Sequence, residues 1–195
     1  MFIKLFLVIF MKIIGISGMP GSGKSGIFNI AEKYNIPIIS MGDAIRYEVK
    51  KQGLELNSEN IKNMAIGIRE KYGKEAVAVI CVDYINSKYK NNLPEYLIIE
   101  GIRSIYEVEY FRKYYSMEII SIHSSPKVRF KRLCERNRED DSVSWEHFKE
   151  RDYRELGFSI GYVIALSDYI VINENNNWEE YLNNLEKIVL SIVKF

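Results

Sequence analysis

Residues 18 to 25 read Gly-Met-Pro-Gly-Ser-Gly-Lys-Ser, a match to G-x-x-x-x-G-K-[ST] that follows the apolar run Lys12 to Ser17 and opens a segment of helical period. No other feature constrains the fold as tightly, because this pattern has a mechanical meaning only at a strand-to-helix turn. There the glycines let the backbone turn its N–H groups toward β- and γ-phosphates. The amino end of the helix adds its dipole, the lysine neutralises phosphate charge, and the last hydroxyl is a magnesium ligand. Gly18, Met19, Pro20, Gly21, Ser22, Gly23, Lys24 and Ser25 are therefore the expected phosphate-binding loop, or P-loop, with Lys24 catalytic and Ser25 on the metal.

Around this loop, short apolar runs alternate with longer segments of helical period, the pattern of a parallel sheet wrapped by helices. Five strands are expected, Lys12 to Ser17, Ile36 to Ser40, Glu95 to Glu100, Glu118 to His123 and Asp168 to Asn173, their Ile/Val content being that of strands buried on both faces. Helix ends are signalled by Ser104 with Glu107 three residues on (a capping box), by Ser125-Pro126, by Asn177, and by Gly53 and Gly73 as stops. The chain has no repeat, low-complexity tract or Gly/Ser linker, so 1–195 reads as a single three-layer α/β domain. Two stretches exceed what a crossover needs. Residues 42–90, with three helices expected, read as an insertion, and the densely charged residues 126–157 read as a lid over the site.

Composition excludes several alternatives. Lys+Arg 27 against Asp+Glu 26 leaves +1, which argues against a dominant polyanion-binding face and so against nucleic acid. That holds even though Tyr110 to Tyr115 interleaves aromatic and basic residues. The two cysteines, Cys81 and Cys134, form no Cys-x-x-Cys pair and have no His or Cys cluster beside them, which points to a reducing, cytoplasmic compartment. His123 reads as a core or edge residue and His147 as a solvated one. Residues 1–10 are apolar apart from Lys4, yet a bilayer span needs about 20 such residues. They are expected to be an extension ahead of a natural start at Met11, with a membrane-touching anchor or an extra edge element as the alternatives.

Two segments fall at strand ends, where ligands bind in such sheets: Ser40-Met-Gly42-Asp43-Ala-Ile-Arg46 and Glu100-Gly101-Ile-Arg103. Here the chain resembles the nucleoside monophosphate kinases, and most of all an archaeal P-loop family related to adenylate kinase and dephospho-CoA kinase. The resemblance runs from Met11 to near the carboxyl end. Ser40 to Arg46 is similar to the Ser-Thr-Gly-Asp-x-x-Arg segment of adenylate kinases, which implies that Gly42, Asp43 and Arg46 lie by an acceptor phosphate. Arg103 resembles the arginine of their Asp-Gly-x-x-Arg segment, one residue closer, with Glu100 standing where Asp is usual as the residue that orients magnesium waters. Arg132 to Ser142, Arg154-Glu155 and Ser167 to Asn173 resemble the lid helix, lid-return arginine and terminal strand of dephospho-CoA kinase, in which an Asp after the second strand is the proposed base. Asp43 matches that Asp.

The resemblance implies Mg2+-dependent transfer of the ATP γ-phosphate to a small nucleotide-type acceptor. Lys24, Asp43, Arg103 and Arg136 would be catalytic, Arg132, Arg136, Arg138 and Arg154 lid residues, and Ser25 and Glu100 the metal site. Dephospho-CoA stays open as the acceptor. The residues also have plainer readings: Asp43 as a helix cap, Arg46 and Arg103 as surface ion-pair partners, and Arg129, Arg132 and Arg136 as one solvated helix face. A nucleotide-dependent regulatory switch would use the same loop without being a kinase.

Overall fold

The computed structural model describes residues 11–90, 92–136, 144–175 and 177–193. Of the expected features, the 1–10 extension, Arg138 and the middle of the 126–157 segment lie outside the described residues. Five strands, β1 (Lys12–Ser17), β2 (Ile38–Ser40), β3 (Tyr96–Ile102), β4 (Ser116–His123) and β5 (Tyr169–Ile172), form one sheet in the order β2-β3-β1-β4-β5, with every pairing parallel. The central strand β1 is buried along nearly its whole length. Its neighbours depart to opposite sides of it, so the crevice at its carboxyl end is where a parallel sheet of this kind receives a ligand.

The strands differ from expectation only at their ends. β2 begins after Pro37, whose missing N–H cannot join a ladder, although its carbonyl accepts from Ile98 N at 2.9 Å. Asp168 stays outside β5 because its carboxylate accepts from Ile119 N at 2.7 Å and from Arg112 at 3.1 Å.

Alternation along the strands divides the core in two. Ile13, Leu97, Ile99, Met117 and Ile119 face one side, Ile14, Ile16, Ile98, Ile120 and Ile122 the other. The second side is covered by α1 (Gly26–Lys33) and α9 (Trp178–Ile192). The first is covered by α2 (Met41–Lys51), α3 (Ser58–Tyr72), α4 (Ala76–Lys88), α5 (Ile105–Arg112) and α8 (Ile160–Ala165). The result is a three-layer α/β fold. The segment 42–90 holds three α-helices, as expected, with a short 3-10 turn, Gly73–Glu75, between the last two. Helix α4 is apolar nearly all round and correspondingly buried from Ala76 to Val82 except at Val79. Gly73 ends α3 at φ 78° and Gly53 follows α2 at φ 72°, the left-handed geometry that glycine adopts without a Cβ penalty. The segment 126–157 supplies α6 (Pro126–Arg136) and α7 (Trp145–Gly157) on either side of residues 137–143.

Candidate active site

The P-loop wraps the carboxyl end of β1, and three of its carbonyl groups are held by side chains outside the cavity it encloses. Pro20 O accepts from the Arg129 guanidinium (3.2 Å), Ser22 O from the Asn173 amide (2.9 Å) and the Ser124 hydroxyl (3.3 Å), and Gly23 O from the Tyr181 hydroxyl (2.7 Å). With those dipoles held outward, and with Ser22 N donating to Met19 O at 3.1 Å, the loop takes the turn in which its other N–H groups can meet an anion. Any side chain at Gly23 would be strained, since a Cβ there would lie 2.2 Å from Asn173 Nδ2 and its φ is +101°. Of the eight loop residues, Gly18, Pro20, Gly21, Gly23, Lys24 and Ser25 line the cavity, about 460 Å³ in volume, while Met19 and Ser22 are packed beneath it.

Lys24 donates to Gly18 O at 2.8 Å and Met19 O at 3.2 Å. Burial lowers its ammonium from the ordinary 10.5 to about 8, partly opposed by the nearby Glu100 carboxylate. An ammonium held at a desolvation cost, hydrogen-bonded among the described residues to carbonyls of its own loop, regains stabilisation when a polyphosphate arrives.

β3 brings Glu100 and Arg103 to the same cavity by a local irregularity. Ile16 pairs with Glu100 but Ser17 pairs with Ile102, so Gly101, at φ +93°, is an extra residue in the ladder. Positions three apart in a regular strand face opposite sides, and the bulge returns both side chains to one wall. Arg103 Nη1 lies 3.4 Å from the carboxylate of the buried Glu155. Ser25 and Glu100, a hydroxyl and a carboxylate on one cavity, are hard oxygen donors that suit Mg2+ held jointly with substrate phosphates.

The helices after β4 supply arginines in two distinct roles. Arg132 and Arg136 line the cavity. Arg132 is anchored, donating to Ser124 Oγ (3.0 Å), Asn173 O (2.9 Å) and Asn173 Oδ1 (3.2 Å). Arg129, by contrast, is only 3% exposed and holds Asp152 of α7 through both terminal nitrogens, at 2.8 and 2.6 Å. Its Nε donates to Ser124 O and its guanidinium lies over the Phe148 ring. The solvated-face reading therefore fails for Arg129, a buried strut between the P-loop and α7.

Two groups of expected residues are not brought to this cavity. Arg154 is exposed on α7 and does not line it; Arg151 does, with Glu155. Phe148, Arg151, Asp152 and Glu155 recur at helical spacing on one face, and Arg154 lies off it. Gly42, Asp43 and Arg46 also lie off the wall, at the start of α2. The Asp43 carboxylate is engaged locally, accepting from Ser40 N at 3.1 Å in a capping box and from Arg46 at 2.6 Å. The Ser-x-x-Asp spacing from Ser40 carried that signal in the sequence. His123 is exposed at the end of β4, and Cys81 is buried and Cys134 exposed, with no disulfide between them. Among the described residues no cluster of three His, Cys, Asp or Glu could hold a metal by itself, and no helix is long and apolar enough to cross a membrane.

A five-stranded parallel sheet with this loop at its switch point defines a P-loop protein of the kinase-like type, a class whose fold implies nucleotide binding. Comparison with known proteins agrees: a family model described as an AAA domain matches residues 17–149. The chain belongs to the UPF0200 family of archaeal proteins. It is 58% identical to a member from Methanococcus maripaludis over 94% of this chain and 99% of that one, and 45% identical to one from Pyrococcus furiosus over 91% and 95%. Among solved structures it resembles TT1252 from Thermus thermophilus (TM-score 0.66, 16% identity, 94% of this chain and 98% of that one). It also resembles shikimate kinase from Bacteroides thetaiotaomicron (TM-score 0.60, 14% identity, 94% and 98%). At such identities the likeness is one of fold.

Proposed function

We propose that this protein is an ATP-dependent phosphotransferase that moves the γ-phosphate of ATP to a small acceptor. The observation that carries the reading is the convergence of Lys24, Arg103, Arg132, Arg136 and Arg151 on the one cavity that the P-loop encloses. The loop N–H groups bind the β- and γ-phosphates, and Lys24 exchanges its carbonyl partners for a phosphate oxygen. Ser25 and Glu100 would hold Mg2+, directly or through its waters. When bound, the metal supplies charge neutralisation between the β- and γ-phosphates. An acceptor oxygen attacks the γ-phosphorus, the bond to the bridging oxygen breaks, and that electron pair leaves with ADP; where the acceptor is a hydroxyl, its proton is released to solvent with the products. Charge spread over the equatorial oxygens is met by planar guanidinium donors, with Arg136 and Arg151 reaching in from α6 and α7 and Arg103 from just beyond the end of β3. Helices α6 and α7 exclude water from the transfer.

The test is an acceptor screen with radiolabelled ATP over nucleoside monophosphates, dephospho-CoA and small hydroxy acids. A kinase consumes ATP much faster with its acceptor than without. Slow hydrolysis unaffected by any acceptor, with partner affinity that differs between di- and triphosphate states, would mark a switch instead. Lys24→Ala is expected to leave the fold intact and lower transfer by about a hundredfold or more.

A further inference from the structure

A second cavity, of about 340 Å³, shares one wall residue with the first, and that residue is Arg103. It is built from the end of α3 and the following 3-10 turn, the start of α5, and the junction of α7 with α8. Three cations line it: Arg69, Lys74 and Arg103. Arg103 is the one with an acidic partner, Glu155. Among the described residues neither Arg69 nor Lys74 has a carboxylate at ion-pair distance. Arg69 donates to Ala65 O of its own helix at 2.8 Å and lies 5.2 Å from the centre of the Phe158 ring. Lys74 lies 4.6 Å from the centre of the Tyr106 ring and donates to its hydroxyl at 3.2 Å. The one carboxylate in the wall, Glu107, is buried beneath it and occupied by the N–H groups of Arg103 (3.0 Å) and Ser104 (3.1 Å). Burial raises its pKa, and those two N–H groups together with the charges of Arg103 and Arg69 oppose the rise.

Two cations, Arg69 and Lys74, positioned by ring faces and a neutral carbonyl, with no carboxylate at ion-pair distance among the described residues, form a receptor for an anion. The place where the two cavities meet is also where the two substrates of a transfer must meet, since reacting atoms have to approach to about 3–3.5 Å. We infer that this second cavity is the acceptor site, and that it takes a compact anionic acceptor, a molecule bearing a phosphate or a carboxylate, gripped by Arg69 and Lys74 and presented to Arg103. The inference rests on the phosphotransferase reading. It moves the acceptor away from Gly42, Asp43 and Arg46.

The experiment fills the first cavity with Mg2+ and a non-hydrolysable ATP analogue, then follows the ring signals of Tyr106 and Phe158 by NMR during separate titrations of inorganic phosphate and malonate. Shifts of both rings are expected with at least one probe, phosphate alone marking a phosphate-bearing acceptor and malonate alone a carboxylate-bearing one. Arg69→Gln and Lys74→Gln should each weaken the response by about fivefold or more, Arg69→Lys should retain most of it, and Arg46→Gln should leave it unchanged. No shift of either ring up to about 20 mM, or a loss in Arg46→Gln with none in Arg69→Gln and Lys74→Gln, overturns the inference. The acceptor screen on the same variants separates the two readings. Transfer with an acceptor KM unmoved by Arg69→Gln and Lys74→Gln overturns the site and leaves the kinase standing. Probe binding at the rings without transfer to any acceptor overturns the kinase and leaves an anion site.

Discussion

The buried pair between Arg129 and Asp152 invites a decisive perturbation. The two side chains are 4% and 15% exposed, and the guanidinium meets the carboxylate with both terminal nitrogens. Asp152→Ala leaves a charged guanidinium inside the protein with only the carbonyls of Pro20 and Ser124 and the Phe148 ring around it. Breaking a buried pair on one side costs about 3–5 kcal/mol, because the remaining charge is desolvated without compensation. For a chain of this length each kcal/mol lowers Tm by about 2–4 °C, so a fall of roughly 6–20 °C is expected. The double variant Arg129→Met with Asp152→Leu removes both charges and should recover most of that stability. It also removes the donors to Pro20 O and Ser124 O, so nucleotide affinity should stay reduced where stability returns. Urea and thermal unfolding of the wild type, both single variants and the double variant, with calorimetric nucleotide titration on each, measures both effects. A single variant within about 1 kcal/mol of wild type, or a double variant no more stable than Asp152→Ala, would refute the strut.

Lys24 makes nucleotide binding pH-dependent. Its folded pKa of about 8 means that the free protein loses the ammonium above that pH, while bound phosphates favour the charged form. Affinity for ATP should therefore be flat below pH 8 and weaken above it by up to about tenfold per pH unit, with proton uptake on binding visible calorimetrically, and Lys24→Met should lose that dependence. Asp43→Asn should cost about 1 kcal/mol through the α2 capping box and change kcat by less than about threefold, as unfolding and steady-state kinetics would report; a hundredfold loss would restore Asp43 as the base. Tyr181→Phe removes the donor to Gly23 O and should cost about 1 kcal/mol of stability, with a several-fold rise in the nucleotide Kd.

The fold and the P-loop wall of the cavity were legible in the residue order because their causes are local. A loop that must turn its amides inward needs glycines at fixed spacing before Lys24 and Ser25, and strands buried on both faces must be apolar throughout, as Ile13 to Ile16 and Leu97 to Ile99 are. The capping box of Ser104 and Glu107 and the stops at Gly53 and Gly73 are short-range geometry of the same kind. What tertiary structure alone decided is which charged side chains meet across long separations. Arg129 looked like its neighbours Arg132 and Arg136 until α7 placed Asp152 against it, and Arg151 differs from Arg154 only in the face that α7 turns inward. Arg103 reaches the cavity through a bulge at Gly101 that depends on pairing with β1, and Arg69 and Lys74 join it through the packing of α3 against the rest of the helical layer. A charge on a helix surface has the same local signature whether it faces water or a partner; the difference is desolvation, and that is a property of the assembled layers.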